Sequence, residues 1–141
     1  MFIKNFKVKG TDVNDFMVME NTAFLRYSSK IIEIFLMENG YSKLKLNTQK
    51  IGWQKKKDSL TNIKRLMFTE TFSAQLLIDN ISTVENYKSI VVINFYNNKN
   101  ELSATLTTEI SWFDYSTWQP ISTPKRISNF FVESKQMREA V

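Results

Sequence analysis

Apolar and polar residues alternate at the start of the chain. Phe2, Phe6 and Val8 fall on one side of the pattern, and Ile3, Asn5, Lys7 and Lys9 on the other. A period of two is what a half-buried strand needs, and Gly10 ends it. Residues 11–19 have no period and open with Thr11, Asp12, Val13, Asn14 and Asp15, a turn-forming run. The period then changes to three and four. Phe24, Tyr27, Ile31, Ile34 and Phe35 recur on one stripe, with Leu25, Ile32 and Leu36 beside it, which predicts a helix over residues 21–39. Glu20, Asn21 and Thr22 suit its N-terminus, and Asn39-Gly40 its end. So wide an apolar arc predicts a helix wrapped by other elements rather than laid on a surface.

After a polar loop, residues 51–68 read as extended chain, with Lys55, Lys56 and Lys57 on or near a bend. Residues 75–84 alternate weakly. Residues 89–96 form a strong β segment, apolar on both faces from Ile90 to Phe95, so one face is expected to meet the helix and the other to be covered, for instance by a partner subunit. Asn97 to Asn100 is a turn. Residues 102–112 alternate cleanly: Leu102, Ala104, Leu106, Ile110 and Trp112 against Ser103, Thr105, Thr107, Glu109 and Ser111. Pro120 and Pro124 are expected to end the sheet, and residues 128–140 to form a short helix or tail. One strand, one long helix and about four further antiparallel strands make a single α+β domain over residues 1–141.

Composition narrows the chemistry. With 43% apolar residues, eleven Phe, five Tyr and three Trp, the chain can bury a sizeable core. No apolar run is long enough to span a membrane, and lysines interrupt the first nine residues, so the expectation is a cytoplasmic protein with no membrane insertion. There is no cysteine and no histidine. Thiolate nucleophiles, imidazole triads and the usual zinc sites are thereby excluded, and no loop spacing suggests another metal. The net charge of +5 fits an anionic partner as well as simple solubility.

The stretch from Asp12 to Tyr27 resembles the signature of hotdog-fold acyl-CoA and acyl-carrier-protein thioesterases, the 4-hydroxybenzoyl-CoA thioesterase-like family. That pattern runs approximately D-x-D-x-x-x-H-V-N-N-x-x-Y-L-R-Y. Asp12 and Asn14 fall on its two Asp, Val18 to Asn21 on H-V-N-N, and Phe24 to Tyr27 on Y-L-R-Y. Phe72 to Leu76 looks like the family's F-G-D-x-L strand entry. Asp114 to Thr117 and Ile121 to Pro124 look like its D-x-x-T turn and I-x-x-P ending. The resemblance implies a long helix wrapped by a curved antiparallel sheet of about five strands. It also implies homodimers or homotetramers whose sheets meet edge to edge, with active sites at the subunit interface beside the helix N-terminus and the acyl chain in a tunnel between subunits. No cofactor is implied.

Three positions depart from the pattern. The second Asp, a nucleophile or general base in some members, is Asn14; the His is Val18; the first paired Asn is Glu20. Glu20 is the first candidate for general base, and a helix-start carboxylate is its plainer role. Asp15 is the second, and it equally suits a turn. Asn14 has an amide that can polarise a carbonyl or orient water. Asn21, the retained Asn of the pattern, is expected to brace the loop or bind substrate. Arg26 and Tyr27 are expected to pack or to meet a partner, and Glu70 and Glu109 are carboxylates on predicted strands. Phe16, Met17 and Met19 are candidates for lining the acyl chain. Lys55, Lys56, Lys57, Lys64 and Arg65 form a basic zone suited to coenzyme A phosphates or an acidic carrier protein, or to a solvated face.

The resemblance therefore implies hydrolysis of an acyl thioester to the free acid, in fatty acid or polyketide metabolism. The alternative is a non-catalytic hotdog protein that binds an acyl group or a partner. Dehydration of acyl thioesters, which uses a His in this fold, is disfavoured. Nucleic-acid binding through Trp53 and Tyr41 has no motif behind it.

Overall fold

The computed structural model describes residues 2–79, 88–124 and 127. Strand β1 (Phe2–Lys7) leads through a 3-10 turn (Gly10–Asp12) and a loop to helix α1 (Asn21–Glu38). Helix α2 (Lys43–Gln49) follows, then β2 (Ile51–Asn62), β3 (Thr71–Asp79), β4 (Lys88–Tyr96), β5 (Leu102–Asp114) and a two-residue β6 (Gln119–Pro120). The sheet order is β1-β3-β4-β5-β2, with β6 on β5, and every pairing is antiparallel.

The alternation seen in the sequence becomes the two faces of this sheet. Phe72, Ala74, Leu76 and Ile78 of β3, Val91, Ile93 and Phe95 of β4, and Ala104, Leu106, Ile110 and Trp112 of β5 are all buried. They meet Ala23, Phe24, Tyr27, Ile31, Ile32, Phe35 and Leu36 of α1. Edge-on ring contacts join Phe2 to Phe35 and Phe24 to Phe95, and Tyr27 stands edge-on to Phe72. Fully burying one such side chain stabilises by about 1.5–3 kcal/mol, so this layer dominates the stability.

The helix is wrapped by the sheet as expected, with Thr22, Arg26, Lys30, Glu33 and Met37 as its exposed stripe. Several expectations about other elements need correction. The polar loop after α1 contains α2, capped by the Ser42 hydroxyl accepting from the Lys45 N–H. Residues 51–68 are not one extended segment, because β2 stops at Asn62 and residues 63–70 turn back. β3 starts at Thr71 rather than at residue 75. Pro120 sits in β6, opposite Phe113, where an edge position spares it a ladder bond. The bend expected at Lys55–Lys57 is a β-bulge between Lys56 and Ser59, with Lys57 at φ 57°. The end of the weakly alternating segment after residue 79 and the C-terminal helix lie outside the described residues.

At the start of β2, Gly52 lies under the Phe113 ring, which stacks on Trp118 with centroids 5.5 Å apart. A Cβ on Gly52 would stand 2.5 Å from that ring. Gly52→Ala should therefore push Phe113 off Trp118, cost about 1–3 kcal/mol and shift the tryptophan emission. Unchanged emission and melting temperature would contradict the contact.

Candidate active site

The loop before α1 is organised around Asp12, which is 1% exposed. One carboxylate oxygen accepts from the Tyr27 hydroxyl at 2.6 Å and the Lys9 N–H at 2.9 Å. The other accepts from the Arg26 guanidinium at 3.1 Å. Burial alone would raise the Asp12 pKa, but the bonds from Tyr27, Lys9 and Arg26 outweigh it and hold the carboxyl below the usual range. The Tyr27 hydroxyl is pushed upward, by burial first and then by the hydrogen bond to Asp12. Asp12, Arg26 and Tyr27 of the thioesterase-like pattern thus form one brace between the loop and the helix.

Asn14 works within the loop. Its side-chain oxygen accepts from the N–H groups of Phe16 (2.9 Å) and Val18 (3.2 Å), while its backbone pairs with Val18 and Met17. An amide oxygen so occupied builds the turn. The tip places Met17 at φ 64° and leaves Asp15, Phe16 and Met17 exposed.

At the helix start, the Glu20 N–H donates to the Asp12 carbonyl, and the Glu20 carbonyl accepts from Ala23 and Phe24. The backbone N–H groups of Asn21 and Thr22 donate to no acceptor among the described residues. These are the orphan donors of a helix N-terminus, carrying its positive dipole end. The Glu20 side chain is exposed beside them and makes no capping bond. Asn21 accepts from the Asn62 amide at 2.9 Å, which ties the end of β2 to the helix start.

Phe16, at 80% exposed, and Met17 stand out from this end, but Met19 does not: it is buried in the core. The expectation that Met19 lines an acyl chain is corrected, because its position on the loop turns it inward under the helix. Sequence reasoning missed Ile63 and Phe68, both exposed. The Phe68 N–H bonds the Met17 carbonyl, and Ile63 follows the Asn62 that holds Asn21. Their apolar character is visible in the sequence, but residues 51–68 read there only as extended chain, with nothing to mark these two as exposed.

The basic zone does not gather. Lys55 turns inward, with its ammonium 2.6 Å from the Ser28 hydroxyl, 3.3 Å from Ser29 and 3.4 Å from the Leu25 carbonyl. Burial pulls its pKa down against the opposing effect of Asp58. Lys55 is therefore not free to meet coenzyme A phosphates in the single chain. Lys56 and Lys57 are exposed at the bulge, Lys64 pairs with Glu101, and Arg65 is exposed. Glu70 closes a turn by accepting from the Met67 N–H, and Glu109 alternates to the sheet face away from the helix. Trp53 and Tyr41 are partly buried against the core. Among the described residues no group of His, Cys, Asp and Glu could hold a metal, and no helix is long and apolar enough to cross a membrane.

No protein-family model and no curated protein matches the chain in sequence. Solved structures do match it in shape. A Staphylococcus aureus protein solved with coenzyme A superposes at TM-score 0.84, with 12% identity over 94% of this chain and 84% of that one. A 1,4-dihydroxy-2-naphthoyl-CoA thioesterase from Synechocystis gives TM-score 0.81 and 12% identity over 93% and 95% of the two chains. An acyl-ACP thioesterase from Bacteroides thetaiotaomicron gives 0.76 and 11%, over 87% of this chain and 49% of that one. At these identities the likeness is one of fold: a long helix cradled by a curved antiparallel sheet is the hotdog fold, shared by this chain with the thioesterases that it resembles.

Proposed function

We propose that this protein hydrolyses an acyl thioester, of coenzyme A or of an acyl carrier protein, to the free acid. The observation behind the reading is the pair of N–H groups of Asn21 and Thr22 at the exposed end of α1, which have no acceptor among the described residues, with the Glu20 carboxylate, likewise without a partner among those residues, beside them. The two N–H groups hold the carbonyl oxygen as it becomes an oxyanion. Glu20 takes a proton from a water that attacks the carbonyl carbon. The tetrahedral intermediate then collapses, the C–S bond breaks, and Glu20 returns the proton to the leaving thiolate.

Neighbours of the same fold named for naphthoyl-CoA and acyl-ACP substrates support a thioester over another ester. Phe16, Met17, Ile63 and Phe68 supply apolar surface next to the reacting carbon. The site is completed by a second copy. β2 is twelve residues long and pairs only with β5 among the described residues, so its other edge is open. Because Asn62 fastens that strand to Asn21, a copy paired along β2 would stand over the helix end and exclude water.

A second, non-catalytic reading rests on Asn14. Where the thioesterase pattern has an Asp, this chain has an amide consumed by its own turn. Incubation with acyl-CoAs of graded chain length and a thiol-reactive dye separates the two. Thiol release supports hydrolysis; acyl-CoA retained without turnover, on carrier-protein thioesters as well, supports the second reading. Sedimentation should give at least twice the 16.6 kDa chain mass.

A further inference from the structure

Three cations outside the basic zone share a concavity. Lys9, Arg26 and Lys30 line a cleft of about 130 Å3 with Thr11, Asp12 and Tyr27, on the side of α1 away from β2. Two of the cations are anchored by their side chains, and the third, Lys9, by its backbone alone. Arg26 is fixed by the Asp12 carboxylate and leans on the Thr11 carbonyl. Lys30 lies over the Phe6 ring, 5.6 Å from its centroid. Lys9 is held through its backbone N–H by Asp12. Asp12 offsets one of the three positive charges, and with both oxygens engaged and 1% exposure it does not repel an incoming anion as a free carboxylate would. All three cations remain exposed, Arg26 with 55% of its side chain accessible. A guanidinium and two ammonium groups around a small cleft are matched by phosphate oxygens.

We propose that this cleft binds phosphate-ester groups of the thioester's carrier arm. The inference rests on the thioester reading for its ligand. It is also placed by geometry: the Asp12 carbonyl accepts from Glu20, so the cleft adjoins the helix end, and Arg26 lies about 9 Å along the helix from Glu20 at 1.5 Å per residue. A carrier arm anchored there reaches the N–H groups of Asn21 and Thr22 with its thioester.

Calorimetric titration of the full chain at low salt, with adenosine 3′,5′-bisphosphate and separately with 4′-phosphopantetheine, tests the proposal. Binding of the first identifies the nucleotide end of coenzyme A, and binding of the second alone a carrier-protein arm. Lys9→Gln/Lys30→Gln should weaken that binding about ten-fold or more and raise KM for the acyl-CoA more than it lowers kcat. Arg26 is left in place, since its loss would strip Asp12. Lys43→Gln/Lys99→Gln, which removes the same charge elsewhere, should leave binding within about two-fold. The proposal is overturned if neither compound binds, or if both double variants weaken binding equally. Hydrolysis of an acyl-N-acetylcysteamine, which has no phosphate, tests the helix end separately. Such turnover without phosphate binding removes the cleft and leaves the hydrolase. Lysine-dependent phosphate binding without turnover of any thioester does the reverse.

Discussion

Glu20→Gln should lower thioester turnover by about 100- to 10,000-fold, the usual contribution of a positioned general base, and leave the melting temperature unchanged. The structural cost is small because the Glu20 side chain is exposed and makes no capping bond; only its backbone holds the loop and the first turn. Glutamine keeps that backbone and the side-chain shape but cannot take a proton from water. Asp15→Asn, on the exposed turn tip, is the comparison and should retain nearly full activity. Asn14→Ala should act through stability, since two backbone N–H groups lose their acceptor. Steady-state rates for the three variants beside their melting curves decide it. Full turnover in Glu20→Gln would eliminate the proposed base, and loss in Asp15→Asn instead would move the role to the loop tip.

The second large effect is on folding. Asp12→Ala should destabilise the domain by about 3 kcal/mol, the scale for losing hydrogen bonds to a charged group and leaving a buried donor without an acceptor, and lower the melting temperature by roughly 10 °C. The Tyr27 hydroxyl, the Lys9 N–H and the Arg26 guanidinium all lose their acceptor at once. Tyr27→Phe removes one of these bonds, to a charged carboxylate, and should cost about 1.5–3 kcal/mol. The effect depends on pH in a defined direction. The folded pKa of Asp12 lies below its ordinary 3.8, so its contribution is complete above that value and is lost as the pH falls through the folded pKa. Tyr27 has a folded pKa above its ordinary 10.0, so its contribution is complete below that value and is lost as the pH rises through the folded one. The difference between wild type and Asp12→Ala should thus be widest near neutrality and shrink in acid. A difference that persists undiminished well below pH 3.8 would show that the carboxylate is not what stabilises the brace.

Much of this was legible along the chain because burial repeats with the geometry of each element. Phe24, Tyr27, Ile31 and Phe35 mark α1 wherever the sheet lies, and Leu106, Ile110 and Trp112 mark the inner face of β5. The order of these elements, with the pattern from Asp12 to Tyr27, was enough for the hotdog architecture. Helix α2 escaped notice because seven residues that bury only Leu46 leave no period to read. The roles of single side chains escaped for another reason. Asn14 folds back on its own turn, Met19 turns under the helix, and Lys55 points at Ser28 from across the domain. Lys9 and Lys30 flank one cleft although twenty-one positions separate them in the chain. Periodicity reports which way an element faces its own core. What a polar side chain touches depends on directions and distances between elements, and those exist only once the helix is seated in the sheet.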